Sequence, residues 1–151
     1  MQIRAISVDD PAVLALLRIH LEGMHAASPP GTVYALDPSG LRDPAMSLWG
    51  VFDGETLLGF GALKQLAATH GEIKSMRTHP DHLRRGVAAA LLAHILATAR
   101  ARGYRRVSLE TGSGEPFEPA LALYRRAGFT NGDAFGDYVA SEFNQFLHLA
   151  L

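Results

Sequence analysis

Cysteine is absent from the 151 residues. That excludes disulfides, thiolate nucleophiles, Cys-containing zinc sites and iron–sulfur clusters. Long apolar runs are missing too. The longest, residues 87–93, is ended by His94, far short of a membrane span. The opening residues, Met1 to Ile6, hold no apolar signal-peptide core. A cytoplasmic protein without a membrane partner is therefore expected. Lysine is scarce, with two against twelve arginines; beside so much alanine this reads as composition bias, not chemistry. There is no excess of either charge, since the net charge is −1. No repeat, low-complexity tract or linker interrupts the chain.

What is present is globular composition, 48% hydrophobic and 19% charged. A chain of this length buries a core without staples and is expected to form a single domain over residues 1–151. The charge is unevenly spread. Residues 1–70 carry −3, residues 71–106 carry +6 and residues 107–151 carry −4. One positive third in a neutral chain suits a small anion better than a nucleic acid. Aromatic side chains are not interleaved with the arginines either, so no nucleic-acid partner is expected.

The patterning predicts a strand over residues 3–6 and a helix over about 11–25. Asp10 caps that helix, Pro11 opens it, and Val13, Leu14, Leu17, Leu21 and Met24 form one face. Residues 32–44 read as irregular or as one short helix. Strands over 47–52, 56–66 and 72–78 form a meander, the first two joined by an Asp53-Gly54 hairpin turn. Gly59 and Gly61 suggest a bend or bulge. A helix over 87–102 ends at Gly103, a strand covers 106–111, and a helix over 116–127 ends at Gly128. Two last strands are expected over 129–135 and 143–149. This order predicts an α/β (α+β) fold, a mixed sheet with helices on its faces.

The chemistry concentrates at residues 72–92. A strand ends there, an arginine- and glycine-containing loop follows, and a long helix begins. A helix N-terminus has unpaired N–H groups and partial positive charge. Gly86 lets the backbone approach a bulky anion, Ala88 keeps the next turn small, and Arg84 and Arg85 add full charges. In physical terms this is a pyrophosphate cradle. The alternative is a loop glycine beside a solvated basic face. It is neither a P-loop nor a dinucleotide fingerprint.

Two motifs then carry a resemblance. Leu83-Arg84-Arg85-Gly86-Val87-Ala88 is similar to the Gln/Arg-x-x-Gly-x-Gly/Ala motif of the GNAT superfamily of acyl-CoA-dependent N-acetyltransferases, with Leu83 replacing Gln/Arg. Leu123-Tyr124-Arg125-Arg126-Ala127-Gly128-Phe129 matches that family's Leu-Tyr-x-x-x-Gly-Phe in full. Element order matches over essentially the whole chain. Residues 71–78, 108–113 and 117–120 resemble a bacterial branch, some of whose members are labelled as linked to indole-3-acetic acid.

The resemblance implies the GNAT fold, with a mostly antiparallel sheet of about six to seven strands and helices on both faces. It implies acetyl-CoA as co-substrate, no metal, and transfer of an acetyl group to a primary amine of a small molecule or peptide in a ternary complex. The alternative on the same fold is a non-catalytic acyl-CoA-binding module or sensor. Met76, Arg77 and Thr78 would flank the pantetheine arm. Arg84, Arg85, Gly86, Val87, Ala88 and Ala89 would hold the pyrophosphate. Phe117 stands where the family often has an Asn contacting the CoA arm. A splayed strand beside the fifth would leave N–H groups free for the oxyanion.

Tyr124 is the expected acid for the leaving thiolate, with a packing tyrosine as the alternative. Glu72 and Glu110 compete for the role of base, against a structural role for each. His20, Met24, His25 and Tyr34 lie where the family forms its acceptor wall, with ordinary surface histidines as the alternative. The turn at Thr111 is placed near the acceptor, and Tyr138, between the last strands, either closes over substrate or packs. A homodimer through the C-terminal strands is a possible partner arrangement in such folds.

Overall fold

The computed structural model describes residues 1–151. Its seven strands are β1 (Gln2–Ala5), β2 (Met46–Asp53), β3 (Thr56–Ala67), β4 (His70–Thr78), β5 (Arg106–Thr111), β6 (Thr130–Asn131) and β7 (Gln145–Ala150). They form one sheet in the order β1-β2-β3-β4-β5-β7-β6. Only β4 and β5 run parallel; every other neighbouring pair is antiparallel. The helices are α1 (Pro11–Ala27), α2 (Pro38–Leu41), α3 (Val87–Ala101) and α4 (Glu118–Arg126).

Strand alternation places a hydrophobic layer on each face. On one face Leu57, Phe60 and Ala62 of β3 pack with Val13, Leu16 and Leu17 of α1 and Leu41 of α2. On the other, Leu58 and Leu63 join Ile73, Val107 and Leu109 beneath Leu91, Leu92 and Ile95 of α3 and Leu121 of α4. Helices therefore cover both faces, as the resemblance implied. Truncating a fully buried leucine such as Leu58 or Leu91 to Ala would cost about 2–5 kcal/mol.

The helix ends follow from local sequence. Asp10 accepts from the Ala12 N–H at 2.8 Å with Pro11 in the first turn. The helix runs two residues beyond the expected end, until Ser28-Pro29-Pro30 stops it. α3 closes into Gly103 at φ +81°.

Three expectations need correction. The β2–β3 turn is centred on Gly54 and Glu55, one residue later than Asp53-Gly54, because Asp53 pairs with Thr56 and Gly54 alone takes positive φ. α4 begins at Glu118, and residues 116–117 belong to a separate 3₁₀ turn over Glu115–Phe117. The strand over 129–135 shrinks to Thr130–Asn131. Beyond Asn131 the chain leaves the sheet and folds over its α1-side face, where Phe135 packs edge-on against Phe146 and Tyr138.

Candidate active site

The sheet is interrupted where β4 meets β5. Only His70, Gly71 and Glu72 pair with Arg106, Val107 and Ser108. Beyond them the strands diverge, and a cavity of about 730 Å³ opens between Ile73–Thr78 residues on one side and Leu109, Glu110 and Thr111 on the other. β4 is also bulged at this point. Phe60 opposes Arg77 and Ala62 opposes Lys74, so Ser75 and Met76 together face the single residue Gly61. Ser75 takes φ +57°, a left-handed conformation unusual for serine. Its Oγ is buried without a partner. The bulge lies where Gly59 and Gly61 suggested one.

The bulge decides which side chains share a face. Strict alternation from Glu72 and Lys74 would aim Met76 at the α1 side and Arg77 into the core. One extra residue reverses both. Met76 packs against the α3-side core, and Arg77 joins Glu72 and Lys74 on the charged face.

One end of the cavity is built from backbone. Arg84 at φ +61° and Gly86 at φ +79° turn the chain into α3. No side chain caps that helix. Its first-turn residues Val87, Ala88 and Ala89 line the cavity, together with Arg84, Gly86, Met76 and Thr78. Free N–H groups, the helix dipole and an arginine make an anion seat. Leu83, in place of the motif's polar residue, is exposed and also lines this end. Arg85 does not line the cavity. It reaches back to Asp53 at 3.5 Å and His82 at 3.1 Å.

Tyr124 sits on α4 against Phe129 and lines the cavity wall, 6% exposed. Burial pushes its phenol up to about 12, so the hydroxyl keeps its proton at neutral pH. No protein group hydrogen-bonds it. Phe117 is both core and wall, packed edge-on against Phe143. It offers the cavity an apolar surface and no polar contact.

The other end is built from side chains. Glu72 is buried and accepts from the Tyr138 hydroxyl and from Lys74 Nζ at 3.4 Å. Lys74 also donates to Tyr138 Oη at 2.6 Å. The three groups satisfy one another, which keeps the Glu72 carboxylate occupied. Desolvation first, then Glu72, pushes the Tyr138 phenol far up, so it serves as a donor. Tyr34 stacks edge-on against Tyr138 with ring centroids 5.0 Å apart. Glu110 is only half-buried and lies on the opposite lip. Burial raises its carboxyl to about 7; Lys74 and Asn144 pull it down and Glu72 pushes it up. A carboxyl poised at 7 in a cleft has the character of a general base. Thr111 follows it along the same lip.

His20 and Met24 of α1 complete the wall; His25 is exposed and outside it. His20 is buried, accepts from Arg77 Nε at 3.0 Å, and has its pKa lowered to about 3 by burial and then by Arg77. Sequence reading missed Lys74 and Ser75. Lys74 was findable, being two residues from Glu72 on a strand and hence on its face. The role of Ser75 was not, because a bulge leaves no composition signal beyond the facing glycines.

Comparisons with known proteins agree with this geometry. Residues 13–129 match the model of the acetyltransferase (GNAT) family. The uncharacterized N-acetyltransferase YedL of Escherichia coli (strain K12) is 47% identical over 149 residues, covering 97% of this chain and 94% of that protein. The uncharacterized N-acetyltransferase YsnE of Bacillus subtilis (strain 168) is 48% identical over 136 residues, covering 88% and 90%. The crystal structure of a GNAT family acetyltransferase from Elizabethkingia anophelis with acetyl-CoA bound superposes with a TM-score of 0.70 at 15% identity, covering 99% and 97%.

Proposed function

The chain belongs to the acetyltransferase (GNAT) family and is an acetyl-CoA-dependent acyltransferase; on that premise we propose that it acetylates a primary amine by direct attack, with Glu110 as base and Tyr124 as acid. The observation that carries this reading is the V between β4 and β5. It is the one place where the backbone-built anion seat, a carboxyl poised at 7 and a protonated phenol border the same cavity.

In this reading the first turn of α3 and Arg84 hold the CoA pyrophosphate, and the diverging β4 edge runs beside the pantetheine arm. Glu110 takes a proton from the ammonium, directly or through water, and frees the amine lone pair. The nitrogen adds to the thioester carbonyl carbon. Backbone N–H groups at the Ser75–Met76 bulge would stabilise the developing oxyanion, an interaction worth about 10²–10³ in rate in other acyl-transfer sites. As the C–S bond breaks, Tyr124 gives its proton to the departing thiolate, and the nitrogen loses its second proton, directly or through water, to the phenolate this leaves, which yields the neutral amide and restores Tyr124. Glu72 holds Tyr138 and Lys74 in place, so it positions the acceptor wall and does not take the proton.

The test is single-turnover release of free CoA across a panel of amines, with the N-acetyl product identified by mass. CoA release matched by one N-acetylated product supports the assignment. Acetyl-CoA binding with no transfer to any amine would replace it with the binding-module reading.

A further inference from the structure

We propose that the acceptor carries a carboxylate as well as its amine, and that the Arg77 guanidinium binds that carboxylate at the α1 side of the cavity. This rests on the acetyl-transfer reading above and names the class of acceptor it uses.

Arg77 is built into a seat. The β4 bulge brings its side chain to the charged face, opposite Phe60. Its Nε donates to His20 Nδ1 at 3.0 Å, which fixes the plane of the guanidinium. Its terminal nitrogens lie along α1 at Gly23, where a Cβ would stand 3.3 Å from Nη2. A mid-helix glycine costs about 1 kcal/mol relative to alanine; here it leaves room for the fork. Arg77, His20 and Gly23 all border the cavity.

The charge of Arg77 has no counterpart in the protein. The four ion pairs join Arg42 to Asp9, Lys74 to Glu72, His79 to Asp81 and Arg85 to Asp53. Its sole side-chain partner is a neutral imidazole, and neither Nη1 nor Nη2 donates to any protein acceptor. A half-buried guanidinium with two free terminal nitrogens is costly. Its planar fork matches a carboxylate bidentately.

The rest of the cavity supplies the opposite sign. Lys74 is already engaged by Glu72 and Tyr138, which leaves Glu110 as the free acid on the far lip. An ammonium drawn to Glu110 and a carboxylate drawn to Arg77 describe an amino acid or a short peptide. The phosphates of CoA are the competing anion for Arg77, but their seat is the first turn of α3, and Arg77 turns away from it toward α1.

The experiment compares acceptors in matched pairs. Free L-amino acids, their primary amides and dipeptides are assayed with wild type, Arg77→Gln and Arg77→Lys, each checked for an intact thermal transition. In parallel, calorimetry in the presence of CoA measures binding of N-acetylated amino acids, which need no turnover. Wild type should prefer acid over amide by on the order of 10–100-fold in kcat/KM, the range of a charge-assisted hydrogen-bonded pair. Arg77→Gln should collapse that ratio toward one and abolish N-acetyl amino acid binding. Arg77→Lys should restore part of both. Preference for dipeptides over free amino acids would assign the carboxylate to a peptide.

Equal use of acids and amides by wild type would overturn the proposal. So would a raised KM for acetyl-CoA in Arg77→Gln with the acid-to-amide ratio intact, or no binding of N-acetylated amino acids. Carboxylate binding that depends on Arg77, with no amine acetylated, would overturn the transfer reading and the acceptor class with it, and would leave only the Arg77 carboxylate seat.

Discussion

The two ends of the cavity solve opposite problems with opposite materials. The α3 end is made of backbone, small residues and a left-handed glycine, with no carboxylate lining it. The α1 end is made of side chains from α1, β4, β5 and the segments around Tyr34 and Tyr138. Main-chain N–H groups are the same for any sequence that keeps the turn, so the first end can tolerate Leu83 in place of a polar residue. The second end depends on particular charges. A donor common to a whole family suits the first arrangement, and an acceptor that differs between members suits the second.

The comparison breaks most sharply at Glu110. Glu110→Gln should lower kcat by about 10³-fold, within the range for a general base, and remove the rise in rate through about pH 7. Glu72→Gln should keep that pH limb if, as proposed, Glu72 acts through its contacts with Tyr138 and Lys74. A limb that survives Glu110→Gln and vanishes in Glu72→Gln would exchange the two roles. Tyr124→Phe, which keeps the packing and deletes the phenol proton, should lower kcat by about 10²-fold. A change in KM alone would reduce Tyr124 to a wall residue.

The α1 end should also show itself in stability against pH. His20 has a folded pKa lowered from 6.5 to about 3, so the unfolded chain binds more protons in that window, and stability falls as pH drops through it. The folded pKa of Glu110 is raised from 4.5 to about 7, so the folded chain binds more protons there, and stability rises as pH drops from about 7 to 4.5. The two slopes oppose each other where the windows overlap, each up to about 1.4 kcal/mol per pH unit. Glu110→Gln should unmask the His20 slope between pH 6.5 and 4.5 in denaturant melts. Identical pH profiles for variant and wild type would remove Glu110 from the account, and a variant profile flat from pH 6.5 to 4.5 would remove His20.

The smaller effects belong to the α3 end. Gly86→Ala forces a side chain into φ +79° and should cost about 1 kcal/mol of folding stability, read as a lowered midpoint in denaturant melts. Arg85→Ala should change the KM for acetyl-CoA by less than about twofold, since Arg85 faces Asp53 in an exposed pair. A large effect at Arg85 would return it to the pyrophosphate seat.

The α3 end was legible because it is local. Strand, arginine-glycine loop and alanine-rich helix are contiguous, and Gly86, Val87, Ala88 and Ala89 fall where the motif puts them. Tyr124 was legible through Leu-Tyr-x-x-x-Gly-Phe. The α1 end was legible only as a set of candidates. Glu72 and Glu110 stand on strands far apart in sequence, and their difference is one of burial: Glu72 is enclosed by Tyr138 and Lys74, while Glu110 stays open to the cleft. The strand expected over 129–135 failed because a segment that folds across a sheet can carry the same aromatic residues as one that lies within it.

The sequence by itself determined the element order, both helix stops at glycine, the strand–loop–helix that carries Gly86 and the absence of any cysteine chemistry, since each is set by neighbours in the chain. Only the tertiary structure decided the face on which each charge of β4 falls. Lys74 and Arg77 are an odd number apart and belong on opposite sides of a regular strand. One bulged residue, held at Ser75 between the glycine-bearing β3 and the divergence from β5, puts them on the same side. A period of two is a local rule, and a bulge is set by the strands across from it.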